Sequence, residues 1–131
     1  MSVIIDGSAG VTTNAGGSVN PSTNVEGINY SCRAWVNFNG TGTVAIRASG
    51  NVTSITDNGT GNYTINFTTA MTDANYSFSG YCVNPASRAL IFGDVNTYAA
   101  GSLRINSAYV AGTNGEATSV DATYVNINIF R

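Results

Sequence analysis

From Ile28 onward the chain alternates. Ile28, Tyr30, Cys32, Ala34, Val36 and Phe38 put an apolar or amphipathic residue at every second position, with Asn29, Ser31, Arg33 and Asn37 between them. A period of two marks a strand with one buried face. Asn39-Gly40-Thr41-Gly42 interrupts this run. The spacing next predicts a strand over Thr43–Gly50, with Val44, Ile46 and Ala48 on one face and Thr43, Arg47 and Ser49 on the other. A short run over Val52–Thr56 ends at Asp57-Asn58-Gly59, a strong turn signal. Tyr63, Ile65 and Phe67 then alternate cleanly with Thr64, Asn66 and Thr68. Further strands are predicted over Tyr76–Val83 (Tyr76, Phe78 and Cys82 on one face), Ala89–Phe92, Ser102–Val110 and Thr123–Phe130. Thr113-Asn114-Gly115-Glu116 is a turn before the last of these.

No window carries a 3.6-residue period. The pattern describes an all-β domain over residues 28–131, an antiparallel β-sandwich or jelly-roll-like fold. Residues 1–27 read differently. After Val3, Ile4 and Ile5 come mostly small residues, with Val11, Val19 and Val25 recurring among them. So little apolar area cannot fold alone, and the segment is expected to be an extended arm that a neighbour orders.

Composition narrows the function. Apolar residues make up 43% of the 131, close to the globular norm, but charged residues only 9%, so solubility rests on amides and hydroxyls. The chain has neither histidine nor lysine. It lacks the usual group for proton exchange near neutral pH, and an enzyme is not expected. The arginines, Arg33, Arg47, Arg88, Arg104 and Arg131, are dispersed, which disfavours nucleic acid. No apolar run is long enough to insert in a membrane, and the N-terminus lacks the basic region of a secretory signal. Two cysteines without histidine make no zinc site, and neither a metal nor a cofactor is implied.

The block AWVNFNGTGTVAIRASGNVTSITDNGTGNYTINFTTAMTDANYSFSG, Ala34–Gly80, resembles a segment near the C-termini of tail-fibre and related structural proteins of tailed bacteriophages, marine and cyanobacterial phages in particular. The ending VNINIFR and the lead-in DGSAGVTT are similar to parts of such proteins. The resemblance implies a virion protein, commonly a homotrimer, assembled in the bacterial cytoplasm and carried on the tail against the host surface. It supplies no catalytic residue. A capsid decoration protein (head cement or head fibre) is the alternative, and a polysaccharide-cleaving tailspike fragment a third.

Candidate sites follow from strand parity. Trp35 falls on the polar face with Arg33 and Asn37, where it is a subunit-interface anchor, a sugar-stacking platform, or part of a second covered face. Arg33, Arg47 and Arg104 are candidate interface residues, against the plainer reading of solvated arginines. Asn96, Thr97 and Tyr98, with Thr113 and Asn114, are expected in loops that offer amide, hydroxyl and aromatic groups to a host-surface glycan. Val3, Ile4, Ile5, Val11, Val19 and Val25 are the candidate contacts of the arm with other virion proteins. Cys32 and Cys82 both fall on apolar faces and are expected as buried thiols. The seven carboxylates, Asp6, Glu26, Asp57, Asp73, Asp94, Glu116 and Asp121, sit mostly in turns, where Asx hydrogen bonds explain them.

Overall fold

The computed structural model describes residues 3–6, 10–13, 31–84, 89–111 and 116–131, all of them strand, turn or loop. The chain divides into two units, Met1–Ser31 and Cys32–Arg131. In the first, β1 (Val3–Asp6) pairs antiparallel with β2 (Gly10–Thr13). Val3, Ile4, Ile5 and Val11 lie on these strands, and Val19 and Val25 lie outside the described residues.

The second unit comprises β3 (Cys32–Asn39), β4 (Ala45–Gly50), β5 (Val52–Asp57), β6 (Asn62–Phe67), β7 (Ser77–Val83), β8 (Ala89–Ala99), β9 (Ser102–Ala111), β10 (Glu116–Ser119) and β11 (Tyr124–Phe130). They form two antiparallel sheets. One has the order β4-β3-β11-β7, so the first and last strands of the unit lie side by side at its centre. The other runs β5-β6-β9, with β8 on the far edge of β9 and β10 continuing the edge that β6 leaves.

Period-two alternation sends Ala34, Val36 and Phe38 of β3 and Val125, Ile127 and Ile129 of β11 into one core. They meet Tyr63, Ile65 and Phe67 of β6 and Leu103 and Ile105 of β9 from the other sheet. Phe38 and Tyr63 join the layers edge to face, their ring centroids 5.1 Å apart. Truncating either ring would cost about 3–5 kcal/mol. Buried Ser107 marks where β9 changes partner from β6 to β10. Its N–H donates to Gly61 O, its carbonyl accepts from Val120 N, and its hydroxyl donates to Val120 O. The junction therefore leaves no backbone group of Ser107 orphaned in the core.

Four expectations need correction. Cys82 is buried, but Cys32 is exposed, because a register shift between Ile129 and Phe130 takes Cys32 out of the alternation. No disulfide joins the two cysteines. Val44, just before β4, packs on the core, but Ile46 and Ala48 on β4 are exposed. This is an edge strand with a bulge: Asn37 pairs with Ala48 and Phe38 with Ile46, so Arg47 has no residue opposite it. Strand β8 runs to Ala99, well past the expected Phe92. Strand β10 was not expected, because Glu116 read as part of a turn.

Candidate functional site

The candidate site is the outward face of the β4-β3-β11-β7 sheet. Because one side of β3, β7 and β11 fills the core, the other side faces away from it. On β3 this sends Arg33, Trp35 and Asn37 outward, and on β11 Tyr124, Asn126, Asn128 and Phe130. On β7 it exposes Ser79, Tyr81 and Val83.

Register then decides which of these become neighbours. Tyr81, Asn126, Asn37 and Ala48 pair in turn across the four strands, and Ser79, Asn128, Trp35 and Gly50 form the next outward row. Val83 pairs with Tyr124 beyond the first. The result is an aromatic and amide surface with Tyr81 60% and Trp35 41% exposed.

Local bonds hold the centre of this face. The Asn37 side-chain N–H donates to Asn126 Oδ1 at 2.6 Å. Arg47 Nη1 reaches Asn37 Oδ1 at 3.4 Å, and its guanidinium lies 4.2 Å from the centroid of the Tyr124 ring. The bulge on β4 aims Arg47 here, and stacking on an electron-rich ring offsets part of the cost of covering its charge. The Trp35 indole lies across Gly50: a Cβ there would sit 2.4 Å from Trp35 Nε1. Glycine therefore lets the indole lie down on the sheet.

The opposite sheet presents a different outer surface. Asn66 donates to both Ser54 and Thr56, Asn58 to Thr64, and Arg104 Nε to Asn62 Oδ1 at 2.6 Å. Here hydroxyls and amides satisfy one another.

The structure separates the residues singled out in the sequence. Arg33, Trp35 and Arg47 share the aromatic face, but Arg104 lies on the other sheet, so the four do not form one surface. Asn96, Thr97 and Tyr98 belong to β8 and not to a loop. The Thr97 hydroxyl donates to Arg104 O, and Tyr98 packs beside Tyr76 and Phe78, with centroids 5.4 and 6.0 Å away. Thr113 and Asn114 lie outside the described residues. Tyr81, Val83, Tyr124, Asn126 and Phe130 were missed. The parity of Cys82 and of Val125, Ile127 and Ile129 already turned them outward, but only strand order places them beside Trp35.

The resolved pKa shifts all move groups away from neutrality. Burial pushes the Tyr76 phenol up to about 12 and the Cys82 thiol up to about 11. Burial, then the bond to Asp121, raises Tyr63 as well. The Asn75 backbone N–H, and after it Arg131, holds the Asp73 carboxyl below its ordinary value. The bonded carboxylates serve the backbone: Asp57 accepts from Gly59 N, Asp73 from Asn75 N and Asp121 from Gly61 N. Among the described residues no group of three or more Cys, Asp or Glu could hold a metal ion, and no helix is long and apolar enough to cross a membrane.

Comparison with protein-family models, with curated proteins and with solved structures gives no match.

Proposed function

We propose that this chain is a non-enzymatic structural protein of a bacteriophage particle, a tail fibre or tail tip that assembles as a homotrimer and contacts the host surface. The observation that carries the reading is the one-sidedness of the sandwich. Trp35, Tyr81, Val83, Tyr124 and Phe130 stand exposed on one sheet, whereas the other exposes only Tyr98 and Val110 among its described large apolar side chains and carries hydrogen-bonded hydroxyls and amides on β5 and β6. Such a body suits docking in a fixed orientation. The resemblance of Ala34–Gly80 to tail-fibre segments points to the phage particle, and residues 1–27 are the part that attaches to it.

Labelling intact particles with antibody to the second unit tests this reading. Gold at the tail is the expected result. Gold over the head would make the chain a capsid decoration protein instead, and a chain absent from purified particles would overturn the proposal. Deleting residues 2–24 is expected to leave a folded domain that no longer joins the particle. Release of reducing ends from host polysaccharide would contradict the non-enzymatic assignment.

A further inference from the structure

We propose that the outward face of the β4-β3-β11-β7 sheet binds an acidic saccharide, with a sugar ring stacked on Trp35 and a sugar carboxylate held by Arg33. The proposal rests on the reading of host-surface contact above and names the chemistry of that contact. The whole chain is net acidic at −2, yet these four strands hold Arg33 and Arg47 and no Asp or Glu. Off the face, Arg104 donates to Asn62 and Arg131 pairs with Asp73. Arg33 is exposed, and among the described residues its guanidinium has no hydrogen bond or ion pair. Cations without a counter-charge on their own surface fit an anion, and the planar guanidinium fork matches a carboxylate.

Trp35 lies between the two cations. Arg33 stands two residues before it on β3, and Asn37, which Arg47 reaches, two residues after it. At about 3.3 Å per residue the span is roughly 13 Å, so two separate single charges face a saccharide with one charge on each acidic unit. The indole rests over Gly50 and is 41% exposed, which leaves ring surface open to the C–H groups of a sugar, drawn to its negative π face. Asn128 and Ser79 continue the same row, about 4.8 Å and twice that distance away across the sheet. Both are exposed and make no side-chain hydrogen bond among the described residues, so they are free to meet sugar hydroxyls. Asn37 and Asn126, already bonded to each other, form the floor beside them. Four strands and seven residues give a face of roughly 19 by 23 Å, about half of the ~800 Å² that a stable protein partner covers. A short oligosaccharide needs no more than this. Two cations are too few to hold a nucleic-acid backbone, which is gripped by neutralising many phosphates.

Isothermal titration calorimetry of the full chain tests the proposal. The probes are tetragalacturonate and its methyl ester, sialyllactose and lactose, and an oligothymidylate. One or both acidic saccharides should bind, and the uncharged counterpart at least about tenfold more weakly. Arg33→Gln and Trp35→Ala should each raise the dissociation constant by about tenfold or more, while Arg104→Gln on the other sheet leaves it unchanged. Near-ultraviolet circular dichroism checks that each variant is folded, and Trp35→Leu, which keeps apolar bulk without the ring, replaces Trp35→Ala if that variant is not. Equal binding of charged and uncharged forms, binding that survives both folded face variants, or binding of the oligothymidylate in place of any saccharide would overturn the proposal. Absence of binding to every saccharide would overturn it too, and gold at the tail would then still leave the particle reading standing.

Discussion

The Tyr63 hydroxyl donates to Asp121 Oδ1 at 2.8 Å, and the same oxygen accepts the Gly61 N–H at 2.7 Å. The Gly40 carbonyl lies 3.0 Å from that hydroxyl. One carboxylate thus ties the segment entering β11 to the start of β6 in the facing sheet. Gly61 sits at a φ of 67°, where a side chain is strained, and its Cβ would meet the Ser107 and Val120 backbone. Asp121→Ala leaves the Gly61 N–H without its acceptor and is expected to cost about 1–3 kcal/mol. Asp121→Asn retains an acceptor oxygen and should cost less than half of that. Urea midpoints of the two variants give the comparison, and equal losses would show that the bond is incidental.

Stability should fall on the alkaline side. The folded state raises Cys82 from 9.0 to about 11 and Tyr76 from 10.0 to about 12, so it binds these protons more tightly than the unfolded chain. Their contribution is therefore whole below the unfolded values, and it is lost as pH rises through the unfolded and then the folded values. Cys82→Ala should delay the onset of the decline from near pH 9.0 towards 10.0, the ordinary tyrosine value. Melting temperatures taken at successive pH values would show this, and an unchanged onset would remove Cys82 from the account.

Asn51 joins β4 to β5 at a φ of 56°. Its side chain donates to Arg33 O and Thr69 O, both at 3.0 Å, and accepts from Thr69 N at 2.7 Å. Asn51→Ala loses these bonds and keeps the left-handed backbone, an expected cost of about 2–3 kcal/mol. Asn51→Gly tolerates the backbone and should recover roughly 1 kcal/mol of that. If alanine and glycine destabilise equally in chemical denaturation, the conformational part of the explanation fails.

Gly50 sets the attitude of Trp35. A Cβ at Gly50 would meet the pyrrole edge of the indole at Nε1 and Cδ1, on a partly exposed side chain that can swing aside. Gly50→Ala should therefore cost no more than about 1 kcal/mol while changing the fluorescence of the chain's one tryptophan. An unaltered emission spectrum would show that the ring does not rest on the glycine.

Much of the sandwich was legible because its central strands obey one period. Tyr63, Ile65 and Phe67, or Val125, Ile127 and Ile129, each present one buried side without interruption. Cys32 and Ile46 broke the reading at bulges, where pairing between strands overrides local alternation. Strand β8 hid because Gly93, Asp94 and Asn96 read as loop residues, although the strand shifts register and continues to Ala99. At the candidate site, Trp35 was legible from the parity of its own strand. Tyr81 and Tyr124 joined it only through the placement of β11 between β3 and β7, and strand order leaves no trace in a local pattern.

The most direct measurement is acrylamide quenching of Trp35 in the full chain with and without tetragalacturonate or sialyllactose, with Arg33→Gln alongside. If an acidic saccharide seats on this face, the wild-type indole becomes shielded, and the variant keeps its partly exposed ring at the same saccharide concentration. Wild-type quenching that neither saccharide changes would contradict the account.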